Sequence, residues 1–138
     1  MVLEFDSKSI NEGFARMVVA GFVAQLDPTI EEINDVKTAV SEAVTNSIIH
    51  GYKDKKGKIK ICCKVKGNEV FIEIYDKGAG IADIKQAMEP LYTTRPEIER
   101  SGMGFSFMEA FMDDLIVESQ VGQGTIIKMK KEIHINGD

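Results

Sequence analysis

Two pairs of β-type segments constrain the fold of this chain most strongly. Residues 58–65 and 70–76 alternate apolar and polar side chains with a period of two, and the short turn Lys66-Gly-Asn-Glu69 joins them. This combination predicts an antiparallel hairpin. Residues 114–119 and 125–135 flank a second glycine-containing turn and predict another hairpin. The chain must therefore form a largely antiparallel sheet, and the segments between the strands must cover it.

The segment between residues 9 and 25, after a short strand predicted at residues 2–5, carries two apolar strips at helical spacing. The larger strip is predicted to pack on the core. The smaller strip, Val19 and Val23, lies on about the opposite side of the helix, next to Arg16. It fits either contact with another subunit or surface valines beside a broad core face. The larger strip consists of Ile10, Phe14, Met17 and Val18.

Capping residues predict the ends of the two long helices. Ser9 and Glu12 fit a capping box at the start of the first helix. Asp27 is the predicted N-cap of the second helix, with Pro28 at its first helical position. Gly51 supplies the predicted C-terminal stop. The apolar stripe of this helix is Ile30, Ile33, Val36, Val40, Val44, Ser47 and Ile48.

A polar row on the second helix faces away from that stripe. Glu42, Asn46 and His50 recur every four residues, so they share one side of the helix. Such a row is most often a solvated face. Here most of the neighbouring residues are apolar, so a functional site becomes a stronger alternative to the solvated face.

The remaining segments complete an α+β pattern. Residues 81–88 predict a short helix, and residues 102–112 a further one. Residues 89–101 show no strong period, and a loop of that length in a compact domain is usually functional or mobile. We expect one domain over residues 1–138, a two-layer sandwich with helices on one face of a mixed, mostly antiparallel sheet.

Composition narrows the possible partners. The net charge of −5 argues against a nucleic-acid or anionic-membrane binder that works by bulk attraction. Cys62 and Cys63 are adjacent in a predicted strand, so they should point to opposite faces, and they show no metal-ligand spacing. The longest apolar stretch, residues 17–24, is too short to span a bilayer. We expect a cytoplasmic protein without direct contact to nucleic acid or membrane.

Two glycine clusters punctuate the predicted strands and helices. Gly78 and Gly80 follow the first hairpin, and Gly102 and Gly104 precede the last helix. Glycine permits close backbone approach to a ligand, but neither cluster matches the Walker or dinucleotide-binding templates. Singly, each cluster is explained as a turn.

In order, four segments are more specific. Glu42-Ala-Val-Thr-Asn46, Asp76-Lys-Gly-Ala-Gly80, Gly102-Met-Gly-Phe105 and Gly124-Thr125 resemble the N, G1, G2 and G3 boxes of the GHKL ATPase/kinase family. That family includes gyrase B, Hsp90, MutL and the ATP domains of histidine kinases. The resemblance implies the Bergerat ATP-binding fold.

Longer segments resemble one branch of that family, the anti-sigma-factor serine kinases of endospore-forming bacteria. They are Ser41-Glu-Ala-Val-Thr-Asn-Ser-Ile-Ile-His-Gly-Tyr52, Pro90-Leu-Tyr-Thr-Thr94 and Pro96-Glu-Ile-Glu-Arg-Ser-Gly-Met-Gly-Phe105. Arg95 stands where a lysine is expected, so the positive charge is kept with a different geometry.

The resemblance implies ATP and Mg²⁺ as cofactors. Asp76, helped by Thr125, would accept a hydrogen bond from the adenine amine. Asn46 would offer its carbonyl oxygen to Mg²⁺, which takes few protein ligands. Gly78 and Gly80 would let the chain pass near the base.

The second glycine cluster would hold phosphate. Gly102 and Gly104 would expose amides at a helix start, where the helix dipole also favours anions. Thr94, Arg95 and Arg100 would lie on a lid, with Arg100 at the γ-phosphate or a partner. Ser101 and Met103 complete the expected ATP-binding loop.

The chemistry implied is phosphoryl transfer to a protein serine. Glu42 is the candidate general base for the attacking hydroxyl. His50 is a possible phosphoacceptor, although a polar residue that caps a helix C-terminus explains it better.

By resemblance, an ATP-bound homodimer holds a sporulation sigma factor of the sigma-F type inactive. A STAS-type anti-anti-sigma factor competes and is phosphorylated on serine. Arg16 matches the region through which such proteins dimerise and meet partners.

Three alternatives remain open. The chain could bind ATP and sequester a partner without transferring phosphate, or it could belong to the stress-response relatives of the same kinases. It could also be the detached ATP domain of a histidine kinase, although nothing in it resembles a helical hairpin with a phosphoacceptor histidine.

Overall fold

The computed structural model describes residues 1–53, 55–82 and 104–134. Five strands and three α-helices lie within these residues. The strands are β1 (Val2–Asp6), β2 (Lys58–Lys66), β3 (Glu69–Asp76), β4 (Asp114–Gln120) and β5 (Gly124–Glu132), and the helices are α1 (Ile10–Val23), α2 (Ile30–Asn46) and α3 (Gly104–Phe111).

The strands form one sheet in the order β1-β2-β3-β5-β4, and every pairing among the described strands is antiparallel. Both predicted hairpins are confirmed. The β2–β3 turn pairs Lys66 with Glu69, and Gly67 takes a φ of 62°, which a hairpin turn of two residues requires. At the other end of β3, Asp76 lies opposite Thr125 of β5.

One face of the sheet meets the helices and forms the core. Ile61, Ile72 and Ile127 are fully buried there and pack in one cluster with Val40 of α2 and Val19 of α1. Each such side chain contributes about 1.5–3 kcal/mol on burial. The two-layer α+β sandwich expected from the sequence is therefore confirmed.

The adjacent cysteines follow the strand alternation. Cys63 is buried in the core, whereas Cys62 is half-buried on the other face, as predicted. Burial raises the pKa of the Cys63 thiol to about 12, so this thiol stays protonated and unreactive at neutral pH.

The predicted orientation of α1 is wrong. Val19 and Val23 are fully buried, whereas Ile10 is 82% exposed and Phe14 and Met17 are more than half exposed. Helical period defines two strips but not which one is buried. The buried strip also carries Ala15 and Ala20, small residues that let α1 lie close to the rest of the core. The larger side chains are left as an exposed apolar strip.

The predicted N-terminal caps of the two long helices are also wrong. Ser9 has helical backbone angles and makes no capping hydrogen bond, because a side chain in that conformation cannot reach the amide three residues on. Asp27 takes a φ of 52°, and α2 begins only after Thr29. Thr29 and Glu32 form the capping box, with Glu32 N donating to Thr29 Oγ1 at 3.0 Å and Thr29 N to Glu32 Oε1 at 2.9 Å.

The helical segment ends at Gly51, as predicted, but not as regular α-helix. Regular α-helix stops at Asn46, and Ser47–Gly51 continues as a π-helix, with Tyr52 N donating to Ser47 O. Wider turns of this kind are frequent at functional sites. Ile30, placed in the predicted core stripe, is 80% exposed. Within the described residues, no helix has the length and hydropathy to cross a membrane.

Glu32 links the start of α2 to His134, which lies two residues after the end of β5. Its Oε2 accepts from the backbone N of His134 at 2.9 Å and lies 2.8 Å from His134 Nδ1. Burial alone would raise the pKa of Glu32, but the hydrogen bonds from Thr29 and His134 outweigh it and lower the pKa from 4.5 to about 2. The carboxylate is therefore a stabilising group when charged.

We predict that Glu32→Gln lowers the free energy of unfolding by about 2 kcal/mol at pH 7, because it removes charge-assisted hydrogen bonds. Since the pKa of Glu32 is lower in the folded chain, its contribution is complete above about pH 5 and disappears as the pH falls toward 2. Urea unfolding of both proteins between pH 7 and pH 3 measures this. Glu31→Gln, at an exposed position in the same turn, is the control. A difference that is as large at pH 3 as at pH 7 would contradict the prediction.

Candidate functional site

The candidate site is built at the end of β3, where the sheet meets the π-helix that follows α2. Asp76 is the last residue of β3 and Thr125 lies opposite it on β5, and only 5% and 3% of their surfaces are exposed. Ser47 Oγ donates to Asp76 Oδ2 at 2.8 Å. Gly78 N donates to Asp76 Oδ1 at 2.9 Å. Two of the sequence-predicted residues, Asp76 and Thr125, are therefore neighbours.

The carboxylate of Asp76 is buried and hydrogen-bonded. Burial raises its pKa, and the hydrogen bonds from the Gly78 amide, the Ser47 hydroxyl and the Thr125 amide only partly oppose this. A carboxylate offers about four lone-pair sites. Among the described residues, the Ser47 hydroxyl and the Gly78 amide occupy two of them, so Asp76 keeps acceptor capacity toward a ligand.

The sequence pattern places Ser47 in the apolar stripe of α2 and does not reveal its contact with Asp76. One sign of a polar partner is present in the sequence, because Ser47 is the one polar member of that stripe. It is completely buried, and a buried hydroxyl in such a place needs a partner. The π-helical turn begins at this residue.

The first glycine cluster packs against protein backbone. Ala79 N donates to Gly51 O at 2.7 Å, and a Cβ on Gly78 would overlap the backbone of Gly51. Gly80 has a φ of 77°, and a Cβ there would overlap Gln120 O. Glycine is thus required at both positions by contacts within the chain.

Tyr52 holds the same loop from a second side and was not predicted. Its hydroxyl accepts from Lys77 N at 2.8 Å and donates to Lys58 O. Its ring covers Gly57, where a Cβ would overlap the ring carbons. The loop after Asp76 is therefore fixed to the end of the π-helix and to the start of β2.

The polar row of α2 leads into this site. Glu42 and Asn46 are half-buried on α2, and Asn46 directly precedes Ser47. His50 is also half-buried, and it lies within the π-helical segment rather than in regular α-helix. The shared face of Glu42, Asn46 and His50 therefore stays a prediction.

Several predicted residues lie outside the described part of the chain. These are Thr94, Arg95, Arg100, Ser101, Gly102 and Met103. Gly104 is described, and it is the buried first residue of α3.

Arg16 lies between the first two helices. Its Nη1 is 3.4 Å from Ser41 Oγ on α2 and 3.7 Å from Glu12 Oε1 on α1, and its side chain is 40% exposed. It therefore presents a partly neutralised positive charge at the surface beside the exposed strip of α1.

A groove of about 790 Å³ opens at the same end of the sheet but on its outer face. It touches Asp76 and Thr125 and continues past Lys60 and Tyr75, where Lys60 Nζ lies 4.7 Å from the ring centroid. Neither Glu42 nor Asn46 lines it. The groove therefore reaches Asp76 and Thr125 but does not join them to Glu42 and Asn46.

Comparison with known families identifies the class of protein. Residues 6–131 match the histidine kinase-like ATPase domain family. The fold agrees, since the catalytic domain of the histidine kinase ThkA, in a nucleotide-free form, superposes with a TM-score of 0.56 over 73% of this chain and 68% of that one, at 19% identity. The chain belongs to the histidine kinase-like ATPase family. Membership implies binding of ATP or ADP.

Closer relatives define the branch. The chain is 65% identical over 136 residues to the anti-sigma F factor of Clostridium botulinum (strain Eklund 17B / Type B). The matched region covers 98% of this chain and 95% of the relative. It is 58% identical over 138 residues to the anti-sigma F factor of Clostridium acetobutylicum, covering 100% of this chain and 96% of the relative. Within the ATPase family, it is an anti-sigma factor of the anti-sigma F type.

We predict that Gly78→Ala lowers the free energy of unfolding by at least about 2 kcal/mol, because its methyl group would overlap the backbone of Gly51. Gly21→Ala is the matched control. A methyl group there meets nothing within 4 Å, and alanine in an exposed helix raises stability by up to about 1 kcal/mol. Urea unfolding measures both variants. Equal stabilities for the two variants would contradict the close approach of the loop to α2.

Proposed function

We propose that this chain binds ATP or ADP with the adenine amine on Asp76. The observation that carries this proposal is a buried carboxylate that the Ser47 hydroxyl and the Gly78 amide hold in place and that keeps acceptor capacity. An amine can donate to that carboxylate, whereas the carbonyl oxygen of guanine cannot. Thr125, directly opposite Asp76, supports the same interaction.

The phosphate end of the nucleotide would lie toward Asn46 and α3. Among the described residues, no group of three or more carboxylate, histidine or cysteine side chains could hold a metal. This fits Mg²⁺, which keeps several waters and needs only one or two protein ligands when phosphates supply the rest. The carbonyl oxygen of Asn46 would be such a ligand, and Gly102 and Gly104 would donate amides to phosphate. Thr94 and Arg100 would complete the site from the lid, and Ser101 and Met103 from the ATP-binding loop.

Bound ATP supplies the phosphoryl group for transfer to a protein serine. Glu42, on the same helix as Asn46, would orient the attacking hydroxyl and take its proton. The bond between the γ-phosphorus and its bridging oxygen breaks, ADP leaves, and phosphoserine forms. Because this transition state is loose, placement of the hydroxyl matters more than the basicity of the carboxylate.

The protein partners are proposed from the relatives. Their name, anti-sigma F factor, supports a sigma factor of the sigma-F type as the inhibited partner. A STAS-type anti-anti-sigma factor would be the phosphorylated protein. We propose a cytoplasmic homodimer, which the exposed Ile10, Phe14 and Met17 support as an apolar contact surface. Arg16, at the edge of that strip, would contact the protein partners.

We predict that Glu42→Gln binds ATP with an affinity within about threefold of the wild type but transfers phosphate at least about a hundredfold more slowly, because the amide cannot take the proton. Binding is measured by calorimetry, and transfer by labelled phosphate on a STAS-type protein. Arg16→Glu is the companion variant, expected to bind ATP normally and to lose partner capture.

Two results would change the proposal. Undiminished transfer by Glu42→Gln would remove Glu42 from the reaction. ATP-dependent capture of the sigma factor without any transfer by the wild type would make the chain a sequestering module rather than a kinase.

A further inference from the structure

Ser119 lies at the end of β4, beside the proposed nucleotide site, and its hydroxyl has three polar neighbours. Ile81 N donates to Ser119 Oγ at 2.7 Å. Ser119 Oγ donates to Gly124 O at 3.0 Å. Ser119 Oγ and Thr125 Oγ1 are 2.8 Å apart, with either hydroxyl able to donate. No ligand role follows from the sequence pattern for this serine.

Proton counting assigns a direction to the third hydrogen bond, which the positions of the two oxygens alone leave open. A serine hydroxyl has one proton and two lone pairs. The proton is used by Gly124 O, and one lone pair accepts from Ile81 N. Only a lone pair remains for Thr125, so the Thr125 hydroxyl is the donor in that bond.

We infer that Ser119 is a positioning residue that determines which purine the site accepts. Because the Thr125 hydroxyl donates its hydrogen bond to Ser119, the Thr125 oxygen can only accept hydrogen bonds from a ligand. Asp76, opposite Thr125, also presents an acceptor. Two neighbouring acceptors match the amine of adenine and repel the carbonyl oxygen of guanine. This inference rests on the proposed nucleotide binding at Asp76.

Removing the Ser119 hydroxyl should relax this discrimination. In Ser119→Ala, the proton of Thr125 becomes free to donate to the guanine carbonyl oxygen. Asp76 still opposes guanine, so selectivity falls without disappearing. We expect the ratio of GDP to ADP dissociation constants to drop by about tenfold, mainly through tighter binding of GDP.

The test measures ADP and GDP binding by calorimetry for four proteins: wild type, Ser119→Ala, Ser119→Thr and Ser7→Ala. Ser119→Thr keeps a hydroxyl and should retain the wild-type ratio. Ser7→Ala removes a comparable hydroxyl that lies away from the site and donates to Lys55 O at 3.0 Å. This variant should also retain the wild-type ratio. Thermal melting of each variant separates lost stability from altered selectivity.

A double-mutant cycle with Thr125→Val tests the route. If Ser119 acts through the Thr125 hydroxyl, Ser119→Ala should not change the ratio further once that hydroxyl is gone. An unchanged ratio in Ser119→Ala, with ADP still bound selectively by the wild type, would overturn the role of Ser119 alone. Failure of the wild type to bind ADP would overturn the proposed nucleotide function, and this inference with it.

Discussion

The site depends on one buried carboxylate and the donors that surround it. A charged group removed from water is costly unless it is hydrogen-bonded, and Asp76 meets this requirement with a hydroxyl from the π-helix and amides from its own loop and from β5. Each donor comes from a different element. Satisfying this single group therefore brings the helix, the loop after β3 and the β4–β5 hairpin to one point.

Close backbone contacts make that convergence possible. The loop after Asp76 touches the π-helical turn at Gly51 on one side and the β4–β5 turn on the other, where Gly122 N donates to Ala79 O at 2.8 Å. A Cβ on Gly124 would overlap Asp76 O. Gly78, Gly80 and Gly124 thus act as spacers that allow three backbone segments to meet.

The sequence predicted the parts of this fold that arise from local pattern. Alternation at period two predicted both hairpins, and the order of the four boxes predicted that Asp76 and Thr125 would share a site, which their pairing across β3 and β5 supports. The helical period of α1 does not indicate which of its two apolar strips is buried, because burial depends on what α1 packs against. Small residues such as Ala15 decided that packing. Similarly, α2 begins after Thr29 rather than after Asp27, since the box formed by Thr29 and Glu32 satisfies two backbone amide donors at once.

The polar contacts that complete the site were beyond prediction from local pattern. Ser47 and Asp76 are 29 residues apart, and Ser119 receives the amide of a residue 38 positions earlier. Nothing in the spacing of either serine indicates its partner. The π-helical turn that begins at Ser47 has no simple sequence signature, and only the single hydroxyl in an otherwise apolar stripe indicates a partner there.

Calorimetric titration of ADP into the wild type and into Asp76→Asn tests the central claim, that the carboxylate of Asp76 receives the adenine amine. Asp114→Asn, at an exposed carboxylate on β4, is the control. We predict at least about a tenfold loss of ADP affinity in Asp76→Asn and an unchanged affinity in the control, with both variants folded by circular dichroism. Wild-type affinity in a folded Asp76→Asn protein would contradict the claim.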